Sequence, residues 1–214
     1  MPRLVLVLLP VVAVLTGCTY SVHPLITERD LIKDVDLSGQ WELEWPTPPT
    51  AGVQPFQSEA KKHRIPLRLQ KYDESTYDVD LGDEYVETSG RDDWPDGWTL
   101  QIGKIGDQTY GQLIPRDLPS DPLLFSGIPV YYLLKLDLSD KDSEVRFSAM
   151  LDDDTAVIAK KEKLPHITYE PSGFVELTVF TGSSSDLQTM VSSRGKQLFS
   201  PLPIKLYRCR SEPK

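Results

Sequence analysis

Cysteine and histidine are scarce in this chain: two of the first and three of the second among 214 residues. Cys18 and Cys209 lie near opposite ends, and His23, His63 and His166 are far apart, so no metal-ligand spacing forms locally. Positive charge is short as well, 23 Lys and Arg standing against 32 Asp and Glu for a net charge of -9. That balance excludes the clustered basic surface a nucleic acid demands. It argues equally against a polybasic clamp on anionic lipid. No apolar run reaches the roughly 20 residues a membrane-spanning helix needs. Nucleophile elbows are missing too: Ser183, Ser184 and Ser185 have no Gly-X-Ser-X-Gly context and read as a helix cap. Gly103, Gly106 and Gly111 are spread through a strand hairpin and form no phosphate loop. The expectation is a non-catalytic protein with no metal and no cofactor.

What is present begins at the N-terminus. Arg3 precedes an apolar stretch, Leu4 to Leu15, which ends in Leu15, Thr16, Gly17 and Cys18. The stretch is the length of a signal-peptide core. Its last four residues resemble the lipobox of bacterial lipoproteins. The resemblance implies that residues 1 to 17 are a signal peptide and are removed, leaving Cys18 as the lipidated N-terminus. It implies a place in the bacterial cell envelope with the membrane as a partner; Thr19, not an aspartate, after the cysteine points to the outer membrane. Two alternatives stand beside this reading: a disulfide with Cys209, which a lipidated Cys18 cannot make, and an ordinary secretory signal or retained anchor. Loss of residues 1 to 17 takes Arg3 away and makes the net charge one unit more negative. Attachment then rests on acyl chains, at about 0.8 kcal/mol per buried methylene. Residues 18–36 follow as lipidated cysteine and tether, including His23 and Pro24, and 37–214 as one domain.

From Ser38 the hydrophobic period is two. Trp41, Leu43 and Trp45 alternate with Glu42 and Glu44. Ile65, Leu67 and Leu69 lead through a turn at Asp73 to Ser75 into Tyr77, Val79 and Leu81. Trp98, Leu100 and Ile102 pair through Gly106 and Asp107 with the strand around Tyr110 to Ile114. Val130, Tyr132, Leu134, Leu136 and Leu138 form the strongest strand, with a mixed opposite face of Tyr131, Leu133, Lys135 and Asp137. Val145 to Leu151, a short strand at Ala156 to Lys160 and another at Val175 to Val179 make about eight. Ser183 to Gly195 switches to helical spacing: Leu187, Met190 and Val191 share a stripe, Ser183 and Asp186 form a cap, and Gly195 suits the C-terminal end. Leu202, Ile204 and Leu206 resume the strand pattern up to Arg208. The fold class is mainly β: an antiparallel up-and-down barrel of about eight strands with one C-terminal helix and a last strand.

That order, with Gly39, Gln40 and Trp41 opening the first strand, is similar to the lipocalin-like barrels. In that family a Gly-X-Trp element packs across the barrel base under a basic residue of the C-terminal strand, positions held here by Gly39, Trp41 and Arg208. The family's usual disulfide has no counterpart, and its second loop motif is not evident. The chain also resembles uncharacterised bacterial lipoproteins in which a cysteine is followed by His-Pro-Leu (His23, Pro24, Leu25) and a Leu-X-Gly-X-Trp opening (Leu37, Gly39, Trp41). That likeness implies no activity.

Several residues invite chemistry and have a plainer alternative. Asp152, Asp153 and Asp154 suit a hard cation, or simply a polar hairpin turn. Asp92, Asp93, Asp96 and Gly97 depart from calcium-loop spacing. Trp94 reads equally as a partner contact or as core, whereas Trp98, starting a strand, reads as core. Pro46, Pro48, Pro49 and Pro55 keep the segment after the first strand extended, where a lipocalin-like barrel carries its lid. The barrel interpretation implies a small apolar or amphipathic ligand against Trp41, Leu43, Trp98, Leu100, Tyr132 and Leu134. The alternative is a solidly packed barrel whose loops bind another envelope protein.

Overall fold

The computed structural model describes residues 19–44, 64–81, 97–116, 130–138, 143–150, 152–169, 177–201 and 203–209. In chain order its elements are β1 (Tyr20–Ser21), a 3-10 turn (Glu28–Asp30), β2 (Gly39–Glu44), β3 (Arg64–Lys71), β4 (Thr76–Leu81), β5 (Trp98–Ile105), β6 (Gln108–Pro115), β7 (Tyr131–Leu138), β8 (Glu144–Ala149), α1 (Asp152–Glu162), β9 (His166–Tyr169), β10 (Leu177–Phe180), α2 (Ser184–Leu198) and β11 (Ile204–Arg208).

Strands β2 to β8 form an antiparallel meander. β11 then pairs with both β8 and β2, closing an eight-stranded barrel. Alternation decides which side chains enter it. Trp41 faces Leu67 across one ladder and Arg208 across the next, and Leu100 faces Leu113. A contiguous interior cluster results, with Trp41, Leu67, Leu69, Tyr77, Leu100, Ile102, Leu134 and Leu136 each less than a tenth exposed. At about 25 cal/mol per Å² of apolar surface removed from water, this interior supplies the main driving force for closure.

The two ends of the barrel differ. Short turns, among them Gly106–Asp107 at a positive φ of 59° for Gly106, join strands at one end, the base. The strand ends joined by segments 45–63, 82–96 and 117–129 all lie at the other end, the mouth. Residues 31–38 cross the base, where Ile32, Val35 and Leu37 pack against the interior. Trp41 Nε1 donates to the Leu37 carbonyl at 2.8 Å, and the Tyr77 hydroxyl donates to the Val35 carbonyl. Gly39, at φ +136°, turns the chain from this plug into β2, a conformation that a residue with a Cβ adopts only under strain.

A second core lies outside the wall. The outward faces of β6 and β7 carry Tyr110, Gln112, Tyr131 and Leu133, which residues 25–31 and the two helices cover. The α2 stripe of Leu187, Met190 and Val191 is buried there. Gln112, almost wholly buried, accepts from Ile26 N at 3.0 Å and donates to Ile26 O at 3.2 Å. One side chain thus satisfies two backbone groups of a segment that has no strand partner at that point. Gly103 lets this segment come close: a Cβ there would stand 2.5 Å from Ile26 Cγ2 and 2.9 Å from the Asp30 carbonyl.

Several sequence expectations change. Ala156 to Lys160 is part of helix α1 and not a strand, and Asp152 to Asp154 open that helix instead of a hairpin turn. The buried positions, Thr155 and Ala159, are four apart on one helical face, while Val157 is exposed. Gly195 does not end α2, which continues to Leu198 and stops at the extended residue Phe199. At the other end the Ser183 cap with Asp186 is present. Residues 19–36, expected as a tether, pack on the barrel; Thr19, Ser21, Leu25 and Ile26 are buried. β9 and β1 had no counterpart in the sequence reading. β1 pairs with the mouth half of β7 where β8 no longer does, and with β10 in parallel.

Candidate functional site

Burial of the inward-facing side chains differs along the barrel interior, although Trp98 at the mouth is buried and Leu138 at the base only partly so. Near the base Trp41, Tyr77 and Ile102 are at most 1 % exposed. Nearer the mouth Leu43, Ile65, Leu81, Leu113 and Tyr132 face inward and are only half buried. The lower half is a packed core, and the upper half carries an apolar inner face whose side chains are partly buried.

An aromatic group marks one side of this lining. Trp98 and Tyr132 meet edge to face, with centroids 4.9 Å apart and planes at 80°. Tyr20 meets Tyr132 at 4.5 Å and 72°. Strand register brings them together, because Tyr20 is opposite Tyr132 in the β1–β7 pair and β6 links Tyr132 to Trp98 through Leu113 and Pro115. Edge-to-face pairs of this kind contribute about 0.5–1.5 kcal/mol each beyond area burial. They give the mouth a rigid aromatic wall. Tyr20 was missed in the sequence because it sits in an aperiodic stretch that predicts no strand.

The six residues expected to line a ligand divide by level. Leu43, Trp98 and Tyr132 are at the mouth. Leu100 and Leu134 lie beneath them, opposite Leu113 and Gly111 on β6. Trp41 belongs to the base. There the Arg208 guanidinium carbon lies 4.6 Å from the Trp41 ring centroid. The same guanidinium donates to the Ser38 and Asp36 carbonyls, both at 2.8 Å. Gly39, Trp41 and Arg208 thus lock the plug to two strands.

Charge near the plug is well organised. Hydrogen bonds from the Ser38 backbone and side chain hold the Asp36 carboxyl below its usual range, with Arg208 adding to the effect. Burial pushes the Tyr77 phenol up, so it stays neutral and can donate. On the outer core, burial alone would raise Asp30, but hydrogen bonds from Thr27 and Gln188 outweigh it and its pKa falls.

Other candidates fall elsewhere. Cys18, Trp45, the prolines of 46–55, His63, Asp92, Asp93, Trp94 and Asp96 lie outside the described residues. His23 is exposed, and His166 Nδ1 lies 2.8 Å from the Leu164 carbonyl. Cys209 is a free, exposed thiol. Among the described residues no three His, Cys, Asp or Glu side chains gather around a common point.

The fold and its base define a closed eight-stranded β-barrel with an external helical layer. No protein-family profile matches the chain, and neither does any solved structure. The chain is similar to a curated protein, the vacuolar membrane-associated protein iml1 of Aspergillus fumigatus, at 24% identity over 192 residues. The match covers 85% of this chain and 10% of that protein, so the chain spans about a tenth of its relative's length. Identity at this level does not define a family.

Proposed function

We propose that the protein is a non-catalytic lipoprotein of the bacterial cell envelope, anchored through Cys18, whose barrel takes up a small apolar or amphipathic ligand at its mouth. The observation that carries the ligand reading is the apolar inner face at the mouth, where Leu43, Ile65, Leu81, Leu113 and Tyr132 face inward and are only partly buried. Small-molecule sites are concave, mostly apolar and largely preformed, and the mouths of β-barrels are a usual place for them. The anchor reading is supported by the Leu15, Thr16, Gly17, Cys18 run that closes the apolar stretch from Leu4.

Native mass spectrometry of the protein, released from its host membrane in mild detergent, tests both parts. The reading expects a stoichiometric apolar molecule that leaves on denaturation. It also expects a diacyl or triacyl mass on an N-terminal peptide starting at Cys18, absent from a Cys18→Ala variant. An apo mass with no uptake of apolar fluorescent probes would favour the second reading, a solid barrel binding another envelope protein, which the packed lower half supports. An unmodified N-terminus at another residue would remove the anchor.

A further inference from the structure

Helices α1 and α2 leave a half-open groove of about 480 Å³ between them on the outside of the barrel. Its floor and one wall are apolar: Val157, Ile158 and Phe199. Val157, one of the lining residues, is 67% exposed. Lys161 and Lys196 stand at the rim. Arg194 is also there, but Glu162 engages it at 2.7 Å. Among the described residues neither lysine has a carboxylate partner. Lys160 adds a further cation in the last turn of α1, and Lys163 follows that helix.

This is a local excess of cations on a protein with a net charge of -9. An anion is repelled by most of the surface and attracted here, which focuses it on the groove. The apolar floor adds a second requirement, since a free inorganic anion makes no use of Val157, Ile158 and Phe199. An amphiphile with a negative head satisfies both. Its head would meet the ammonium groups, and its chain would cover the valine and phenylalanine. The volume suits the head and a short stretch of one chain of such a molecule. Lysines beside exposed apolar side chains also keep their heads in water while their stems cover apolar surface.

We propose that the α1–α2 groove binds one anionic phospholipid, its phosphate between Lys161 and Lys196 and its acyl chain over Val157, Ile158 and Phe199. This inference is independent of the barrel ligand and of Cys18. The test is isothermal titration of the full chain in dodecyl maltoside with dihexanoyl phosphatidylglycerol, dihexanoyl phosphatidylcholine and inorganic phosphate. One phosphatidylglycerol binds per chain, phosphatidylcholine binds at least tenfold more weakly, and phosphate at matching concentration does not displace the lipid. The Lys161→Ser, Lys196→Ser double variant weakens phosphatidylglycerol binding at least tenfold with an unchanged circular dichroism spectrum, and Val157→Ser weakens it several-fold. Lys71→Ser, an exposed lysine at the base end of β3, leaves it unchanged. Equal affinity for the two lipids, displacement by phosphate or by a short polyglutamate peptide, or insensitivity to the double variant would overturn the proposal. An equal loss in Lys71→Ser would overturn it too, by making the attraction one of general surface charge.

Discussion

Arg208 lies over Trp41, its guanidinium carbon 4.6 Å from the indole centroid, because the two residues are directly opposite each other in the β11–β2 ladder. The last strand of the chain thereby covers the first barrel strand and, through the Ser38 and Asp36 carbonyls, fixes the plug that enters it. Barrel closure and base closure are one event at this point.

Arg208→Ala removes a cation over an aromatic face, about 0.5–2 kcal/mol, together with two charge-assisted hydrogen bonds. The expected loss is about 2–4 kcal/mol of unfolding free energy. Arg208→Lys retains the charge over the ring but cannot reach both carbonyls, so it loses roughly half as much. Urea unfolding checks this: the midpoint falls in both variants, further for alanine, at an unchanged slope.

Gly103→Ala places a methyl group against Ile26 and the Asp30 carbonyl. Backbone cannot move aside as a flexible side-chain end can, so residues 26–30 must lift from the outer wall. The expected cost is about 1–3 kcal/mol. Limited proteolysis gives the readout, with new cleavage in 25–31 before any in the barrel strands.

Acid should loosen the same segment. The Asp30 carboxylate accepts from Thr27 N at 3.0 Å and from Gln188 Nε2 at 2.8 Å, joining residues 25–31 to α2, and its pKa is lowered in the fold. The unfolded chain, with its ordinary carboxyl pKa of 3.8, binds the proton more readily. The stabilisation is therefore fully present above that value and is lost as pH falls through the lower, folded one. Asp36 and Asp186, also lowered, act with the same sign. Thermal unfolding across pH 6 to 2 should show the melting temperature falling below about pH 4, with a shallower fall in Asp30→Asn.

Much of the barrel was legible because a half-buried antiparallel strand writes its environment into alternate positions. Leu67 and Leu69 against Arg68 and Gln70, or Leu100 and Ile102 against Thr99 and Gln101, identify the inward face without ambiguity. The second core was not legible in that way. Tyr131 and Leu133 made the outer face of β7 look merely mixed, when α2 and residues 25–31 bury that face. Leu25 and Ile26 have no period to announce their burial, since a single glutamine side chain holds Ile26 in place of a strand ladder. Ala156 to Ala159 is a short apolar run that periodicity assigns to strand or helix alike; tertiary packing of Thr155 and Ala159 decides for the helix. At the candidate site, alternation put Leu43, Trp98 and Tyr132 on the inner face, but their level along the barrel depends on register. Register also separates them from Trp41 at the base.

The most direct test of the barrel account uses tryptophan as a depth gauge. In a chain carrying Trp45→Phe and Trp94→Phe, Trp98 reports on the mouth and Trp41 on the base. A brominated fatty acid should quench Trp98 with saturable, one-to-one stoichiometry and leave Trp41 bright, each isolated by a further Phe substitution of the other. Quenching of neither residue, or equal quenching of both, would contradict an apolar ligand site in the upper half of the barrel.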